Sequence, residues 1–185
     1  MLKEIIRQSQ EKMKKAVEAT DRDLKSLRTG RASTALVENV TAEAYGTATP
    51  LKGLATISIP DARTIQIQPW DRNLLGAIEK AILAANIGLT PNNDGRVIRL
   101  NIPPLTEERR KELVKVAHKM AEEGRVAVRN IRRHTNEEIK ATEKRHEISE
   151  DDRKKTQETV QKQTDEFIAE IDKHLAAKEK EIMEV

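Results

Sequence analysis

TEERRKELVKVAHKMAEEGRVAVRNIRRHTNEEIKATEKR, from Thr106 to Arg145, sets apolar or small residues at Leu113, Ala117, Met120, Gly124, Ala127, Val128 and Ile131, in steps of three and four. That spacing predicts one long helix, roughly 60 Å at a rise of about 1.5 Å per residue. A rod of that length predicts an elongated molecule. Its middle, Arg125-Val126-Ala127-Val128-Arg129-Asn130-Ile131-Arg132-Arg133, holds four arginines and no acid, in a chain of 34 basic and 31 acidic side chains. The positive charge is therefore local. A net charge of +3 is too small to make the whole surface bind nucleic acid, so such a site must come from patterning.

On a helical wheel at about 100° per residue, Arg125, Arg129 and Arg132 fall within roughly 60° of one another, beside the apolar stripe, and Arg133 adjoins them. Arginine presents a planar fork of donors that matches phosphate oxygens two at a time, so a ladder of such forks suits a nucleic-acid backbone. The only aromatic side chains are Tyr45, Trp70 and Phe167, none in this helix. The mode implied is phosphate and shape reading of structured RNA or DNA, without base readout. The competing reading is a solvated face whose arginines pair with glutamates of neighbouring helices.

Outward from this helix, residues 2–27 carry Leu2, Ile6, Ser9, Met13, Ala16, Thr20, Leu24 and Leu27 in a near-heptad rhythm, which predicts a second helix. It stops at Leu27-Arg28-Thr29-Gly30-Arg31-Ala32-Ser33, where glycine can adopt the positive φ of a helix end. A third helix is expected after Ser149-Glu150-Asp151-Asp152, a capping-box-like start, with Thr156, Val160, Gln163, Phe167, Ile171, Leu175 and Ile182 on its inner stripe. No one of these stripes can be buried alone, and three of similar length can bury one another as a bundle.

Between residues 33 and 104 the period changes to two. Val40, Ala42 and Ala44, then Ile57 and Ile59, then Ile65 and Ile67, and finally Val97 and Leu100 mark short strands. Turns are signalled at Tyr45-Gly46-Thr47, Pro60-Asp61-Ala62-Arg63 and Asn92-Asn93-Asp94-Gly95. Leu74, Leu75, Ile78, Ala81 and Ile82 share the face of one short helix, with Asp71 or Asn73 as its cap. The fold class expected is α+β. Residues 1–30 and 105–185 form an elongated, discontinuous three-helix bundle, and residues 31–104 form an inserted β/α/β domain. Two short crossings join them, one through Arg28, Thr29, Gly30 and Ser33, the other through Ile102, Pro103, Pro104 and Leu105. Glycine on one crossing and paired prolines on the other make these a candidate hinge, a fixed corner being the alternative.

Several function classes are excluded or disfavoured. The absence of cysteine excludes disulfides, thiolate zinc sites and a cysteine nucleophile. His118, His134, His146 and His174 are scattered without a zincin spacing, so no metal site is expected. No nucleophile elbow or isolated acid-base pair stands out, so no catalytic residue is assigned. Arg28 and Arg31 bracket a single glycine without a Walker lysine, which argues against nucleotide binding. They make a second basic spot beside the crossing, or serve the helix dipole. The N-terminal segment is charged from Lys3 and Glu4 onward, so no secretory leader is expected. The chain's most apolar short run, around Ala81 to Ala85, falls far below the about 20 residues that span a bilayer, so a cytoplasmic protein without membrane contact is expected.

Leu27-Arg28-Thr29-Gly30-Arg31-Ala32-Ser33, Tyr45-Gly46-Thr47-Ala48-Thr49-Pro50-Leu51, Ile78-Glu79-Lys80-Ala81-Ile82, Pro103-Pro104-Leu105-Thr106-Glu107-Glu108-Arg109-Arg110, Arg125 to Arg133 and Gln161-Lys162-Gln163-Thr164-Asp165 together resemble the ribosome recycling factor family. The match runs in order along the whole chain. Ala44 and Thr90 depart from the tyrosine and asparagine usual there. The resemblance implies an L-shaped, monomeric, non-enzymatic translation factor without a cofactor. It also implies binding to the large ribosomal subunit near the A and P sites after termination, and subunit separation with elongation factor G and GTP. Carried onto this sequence, it implies that Arg129 and Arg132, with Arg28 and Arg31 nearby, contact rRNA, and that the two crossings let the inserted domain swing.

Overall fold

The computed structural model describes Met1 to Glu184 and divides into two compact units, residues 1–29 with 107–184, and residues 30–106. The first unit is built from α1 (Leu2–Ser26), α3 (Glu107–Lys144) and α4 (Glu150–Met183), each packed on both of the others. Their buried positions recur in steps of three and four: Ile5, Ser9, Met13, Val17, Thr20 and Leu24 on α1, and Leu113, Ala117, Ala121, Gly124 and Val128, then Thr135, Ile139 and Thr142, on α3. On α4 they are Thr156, Val160, Thr164, Ile171, Leu175, Lys178 and Ile182. Such steps average close to the about 3.6 residues of a helical turn, so each buried stripe stays on one face of its helix and these can remain packed over many turns.

The inner stripe differs from the sequence expectation at its margins. Ile5 and Val17 are buried where Ile6 and Ala16 were expected, and Ala121 and Thr164 where Met120 and Gln163 were expected; Ala127, Ile131 and Phe167 flank the seam half-buried. Adjacent positions sit only about 100° apart on a helix, so the pattern bounds a wide face and the neighbouring helices choose its centre line. The core is also rich in hydroxyls. Thr20, Thr135, Thr142, Thr156 and Thr164 each donate to the carbonyl four residues back, on Ala16, Ile131, Glu138, Asp152 and Val160, so burial leaves these groups paired.

Local signals set the helix ends. His146 has φ of 57° in the turn after α3. Ser149 accepts from the Asp152 amide at 3.1 Å while Asp152 accepts from the Ser149 amide at 3.4 Å, a reciprocal cap on α4. At the other end α1 stops as Leu27 turns extended, at φ −68° and ψ 120°.

The second unit holds a hairpin, β1 (Thr41–Ala44) with β2 (Thr47–Pro50), and a separate antiparallel sheet of β3 (Ala55–Asp61), β4 (Thr64–Pro69), β5 (Pro91–Asn93) and β6 (Ile98–Asn101) in the order β3-β4-β6-β5. Helix α2 (Leu75–Ala84) packs on β1 and β5. Ile65, Ile67, Ile78, Ile82, Ile98 and Leu100 are fully buried in a core shared by sheet and helix. Two strands went unread in the sequence. β2 follows Tyr45 and Gly46, whose positive φ values of 52° and 78° make a tight hairpin turn, and Asn92 and Asn93 belong to β5 although they resemble a turn. Asp71 caps a short 3-10 turn before α2 by accepting from the Asn73 amide.

The β5–β6 turn rests on one carboxylate. Asp94 accepts from the amides of Val97 and Arg96, both at 2.9 Å, and from Arg99 at 2.6 Å. Those bonds, the Val97 amide first, hold its carboxyl down at about 2 against the ordinary 3.8. A carboxylate depressed in the folded state contributes above its unfolded pKa and loses that contribution as pH falls through the folded one. The turn is therefore expected to stay ordered at pH 3.8 and loosen only toward pH 2, read from the Val97 amide resonance.

Candidate nucleic-acid interface

The α3 arginines sit on a buried stripe's shoulder because Gly124 and Val128 face the core, which places Arg125 and Arg129 one step around the helix. Their surroundings separate them. Arg125 is inserted between helices: its Nε donates to Asp172 Oδ1 of α4 at 2.8 Å, its Nη2 lies 2.7 Å from the same oxygen, and its Nη1 donates to Glu122 at 2.9 Å. Its side chain is only 19% exposed. Burial works against its charge, and the bonds to Asp172 and Glu122 outweigh this, so its pKa rises. The bond from Arg125 in turn holds the Glu122 carboxyl below its usual value.

Arg129 keeps one bond, to Glu122 at 3.3 Å, and a side chain 41% exposed. Arg132 donates to the neutral Gln161 of α4 at 3.3 Å, so its charge is not neutralised. Arg133 is exposed, without a hydrogen-bond or ion-pair partner among the described residues. Charge compensation therefore falls along the ladder from Arg125 to Arg133, and the free end is what an anion would meet. On one helix, then, Arg125 is a structural ion pair, whereas Arg132 and Arg133 present uncompensated charge.

Arg28 is exposed at the end of the bundle unit and lacks a partner among the described residues; Arg31 is exposed in the other unit. Gly30 has φ of 76°, and a Cβ there would meet Leu105 Cγ at 3.2 Å, so this crossing needs glycine both for its backbone and for its contact. Thr29 is buried, donating to Glu181 at 3.1 Å. Within the inserted unit Ala32 donates to the Ala62 carbonyl and Ile102 to that of Arg63, both at 2.8 Å, so the two crossings are held on adjacent residues of the β3–β4 turn. Ser33 accepts from the Ala35 amide, while Pro103 and Pro104 are exposed and Leu105 is half-buried.

Lys178 went unnoticed in the sequence. It is buried on the α4 stripe and donates to the Leu27 carbonyl at 2.9 Å. The signal was available: a lysine at a heptad position between Leu175 and Ile182 breaks the apolar pattern. Among the described residues no group of three or more His, Asp or Glu side chains is placed to hold a metal ion. His118 pairs with Glu179, and His174 with Asp21 at 3.1 Å. No helix among those residues is long and apolar enough to cross a membrane.

Comparison with known proteins gives a consistent result. The family model described as ribosome recycling factor matches residues 20–183. The ribosome-recycling factor of Oleidesulfovibrio alaskensis is 58% identical over 181 residues, covering 98% of each chain, and that of Symbiobacterium thermophilum is 57% identical over 185 residues, covering all of both. The solution structure of a ribosome recycling factor is similar with a TM-score of 0.70 and 51% identity, over 100% of this chain and 98% of that one. A second similar structure is described as models for the T. thermophilus ribosome recycling factor and the E. coli elongation factor G bound to the E. coli post-termination complex. It has a TM-score of 0.61 and 47% identity, over 99% of both chains.

Proposed function

The chain belongs to the ribosome recycling factor family, and from that premise we propose that it binds the post-termination ribosome on its large subunit and, with elongation factor G and GTP, promotes separation of the subunits. The observation that carries this reading is the whole-chain similarity to a recycling factor bound, together with elongation factor G, to a post-termination complex. In this reading Arg132, Arg133 and Arg129 contact rRNA phosphates, Arg28 and Arg31 add contacts near the crossings, and Arg125 holds the ladder in place. The protein is a monomeric cytoplasmic factor and not an enzyme; hydrolysis of GTP belongs to elongation factor G. The stretches at 28–33 and 102–105 act as a hinge between the bundle and the inserted domain.

The function is tested by mixing the protein with post-termination ribosomes, elongation factor G and GTP and following light scattering as subunits separate. Separation is expected only when the protein, elongation factor G and GTP are all present. The protein alone should co-sediment with isolated large subunits in a salt-sensitive way, because displaced counterions oppose phosphate contacts as salt rises. Salt-insensitive sedimentation, or none, would favour a helical adaptor that binds protein.

A further inference from the structure

Position 178 belongs to a run of buried α4 residues, Ile171, Leu175, Lys178 and Ile182, where an apolar side chain would be the default. Burying an ammonium is costly unless it is paired and bonded. Here it is both. Lys178 Nζ donates to the Leu27 carbonyl at 2.9 Å and lies 3.2 Å from Glu181 Oε2. The other carboxylate oxygen, Glu181 Oε1, accepts from Thr29 Oγ1 at 3.1 Å.

This pair, three residues apart on one helix face, thus grips both ends of Leu27-Arg28-Thr29. Leu27 is where α1 ends, and the last carbonyls of a helix lack intrahelical donors; Lys178 supplies one. Thr29 is buried by the same grip. Arg28 lies between the two fixed points with its side chain exposed and no partner among the described residues. Lys178 and Glu181 neutralise each other, so the clasp leaves the Arg28 charge uncompensated.

We propose that Lys178 and Glu181 are positioning residues for nucleic-acid binding: their clasp on Leu27-Arg28-Thr29 holds Arg28 in place to meet a phosphate of the large-subunit RNA. The inference rests on the reading of Arg28 as a phosphate contact. A tripeptide fixed at both ends loses little backbone freedom when its central arginine binds, so the entropic cost of ordering that loop is met during folding and not at the encounter.

The test is a double-mutant cycle on full-length protein binding to isolated large subunits, with affinity measured at several salt concentrations. Arg28→Ala is expected to weaken binding roughly tenfold and to flatten the salt dependence by about one phosphate contact. Lys178→Met keeps the size of the side chain and removes its donor; it is expected to weaken binding several-fold. In the Arg28→Ala background the Lys178→Met loss should disappear, because Arg28 is what the clasp positions. Thr29→Val, which deletes only the hydroxyl, runs the same cycle and serves if Lys178→Met does not fold. The inference is overturned if either loss persists undiminished without Arg28, or if both clasp variants bind like the parent while Arg28→Ala does not. Should Arg28→Ala itself bind like the parent, it is the contact reading of Arg28 that fails, and the inference falls with it.

Discussion

Gly124→Val should destabilise the bundle by about 3 kcal/mol or more, lowering its thermal transition by roughly 6–12 °C. A Cβ built on Gly124 would lie 2.2 Å from Thr20 Oγ1, 3.0 Å from Cγ2 and 3.1 Å from Cβ, so α1 and α3 approach one another through the missing side chain. Thr20 cannot easily move aside. It is buried, its hydroxyl is bonded to the Ala16 carbonyl at 3.0 Å, and a helical threonine has few rotamers to choose from. The helices must part, and a well-packed seam does not yield locally. Alanine separates steric from backbone effects. Gly124→Ala gains about 1 kcal/mol of helix propensity and loses about 1–3 kcal/mol to overpacking, so it is expected to destabilise slightly. Combined with Thr20→Ala, which removes both close atoms beyond Cβ, the same change should turn stabilising. A Gly124→Ala effect that keeps its sign in both backgrounds would show that this contact does not set the helix spacing.

The legible part of the fold is the part with long-range repetition. Three helices announce themselves because Leu113, Ala117, Gly124 and Val128, or Val160, Ile171 and Leu175, repeat over many turns, and their ends carry local chemistry such as the Ser149–Asp152 cap. The centre of each stripe is less legible, as Ile5 against Ile6 shows, because a neighbouring helix decides between positions one step apart. Short strands fare worse. Thr47-Ala48-Thr49-Pro50 has no apolar alternation, and Pro91-Asn92-Asn93 is made of poor strand formers; both are strands because Ala44 and Leu100 pair with them. The site divides the same way. An arginine ladder is visible in sequence as spacing, whereas the partner of each arginine lies on another helix. Nothing near Arg125 announces Asp172, and nothing near Leu27 announces Lys178.

That division yields an opposite pair of outcomes on one helix face. Replacing Arg129, Arg132 and Arg133 together by alanine should weaken binding to large subunits by about 100- to 10,000-fold while leaving thermal stability nearly unchanged. Each charge-assisted contact to phosphate is worth roughly 1.5–3 kcal/mol, and neighbouring contacts on one backbone do not add fully. Their side chains carry little of the fold: one long bond to Glu122, one to Gln161, and an exposed Arg133. The slope of log affinity against log salt should fall by about 2–3, one phosphate for each arginine removed. Arg125→Ala should behave the other way. It removes a side chain only 19% exposed together with its bonds to Asp172 and Glu122, whose carboxylates are more than half exposed and regain water, costing on the order of 1 kcal/mol of stability, with a small loss of binding and an unchanged salt slope. The contrast is the test, because four arginines in nine residues are alike in sequence and differ in what α3 and α4 place beside them. Equal losses of binding from Arg125→Ala and from Arg132→Ala, with matching changes in slope, would mean that Arg125 leaves Asp172 to reach RNA, and that compensation in the free protein does not sort the ladder.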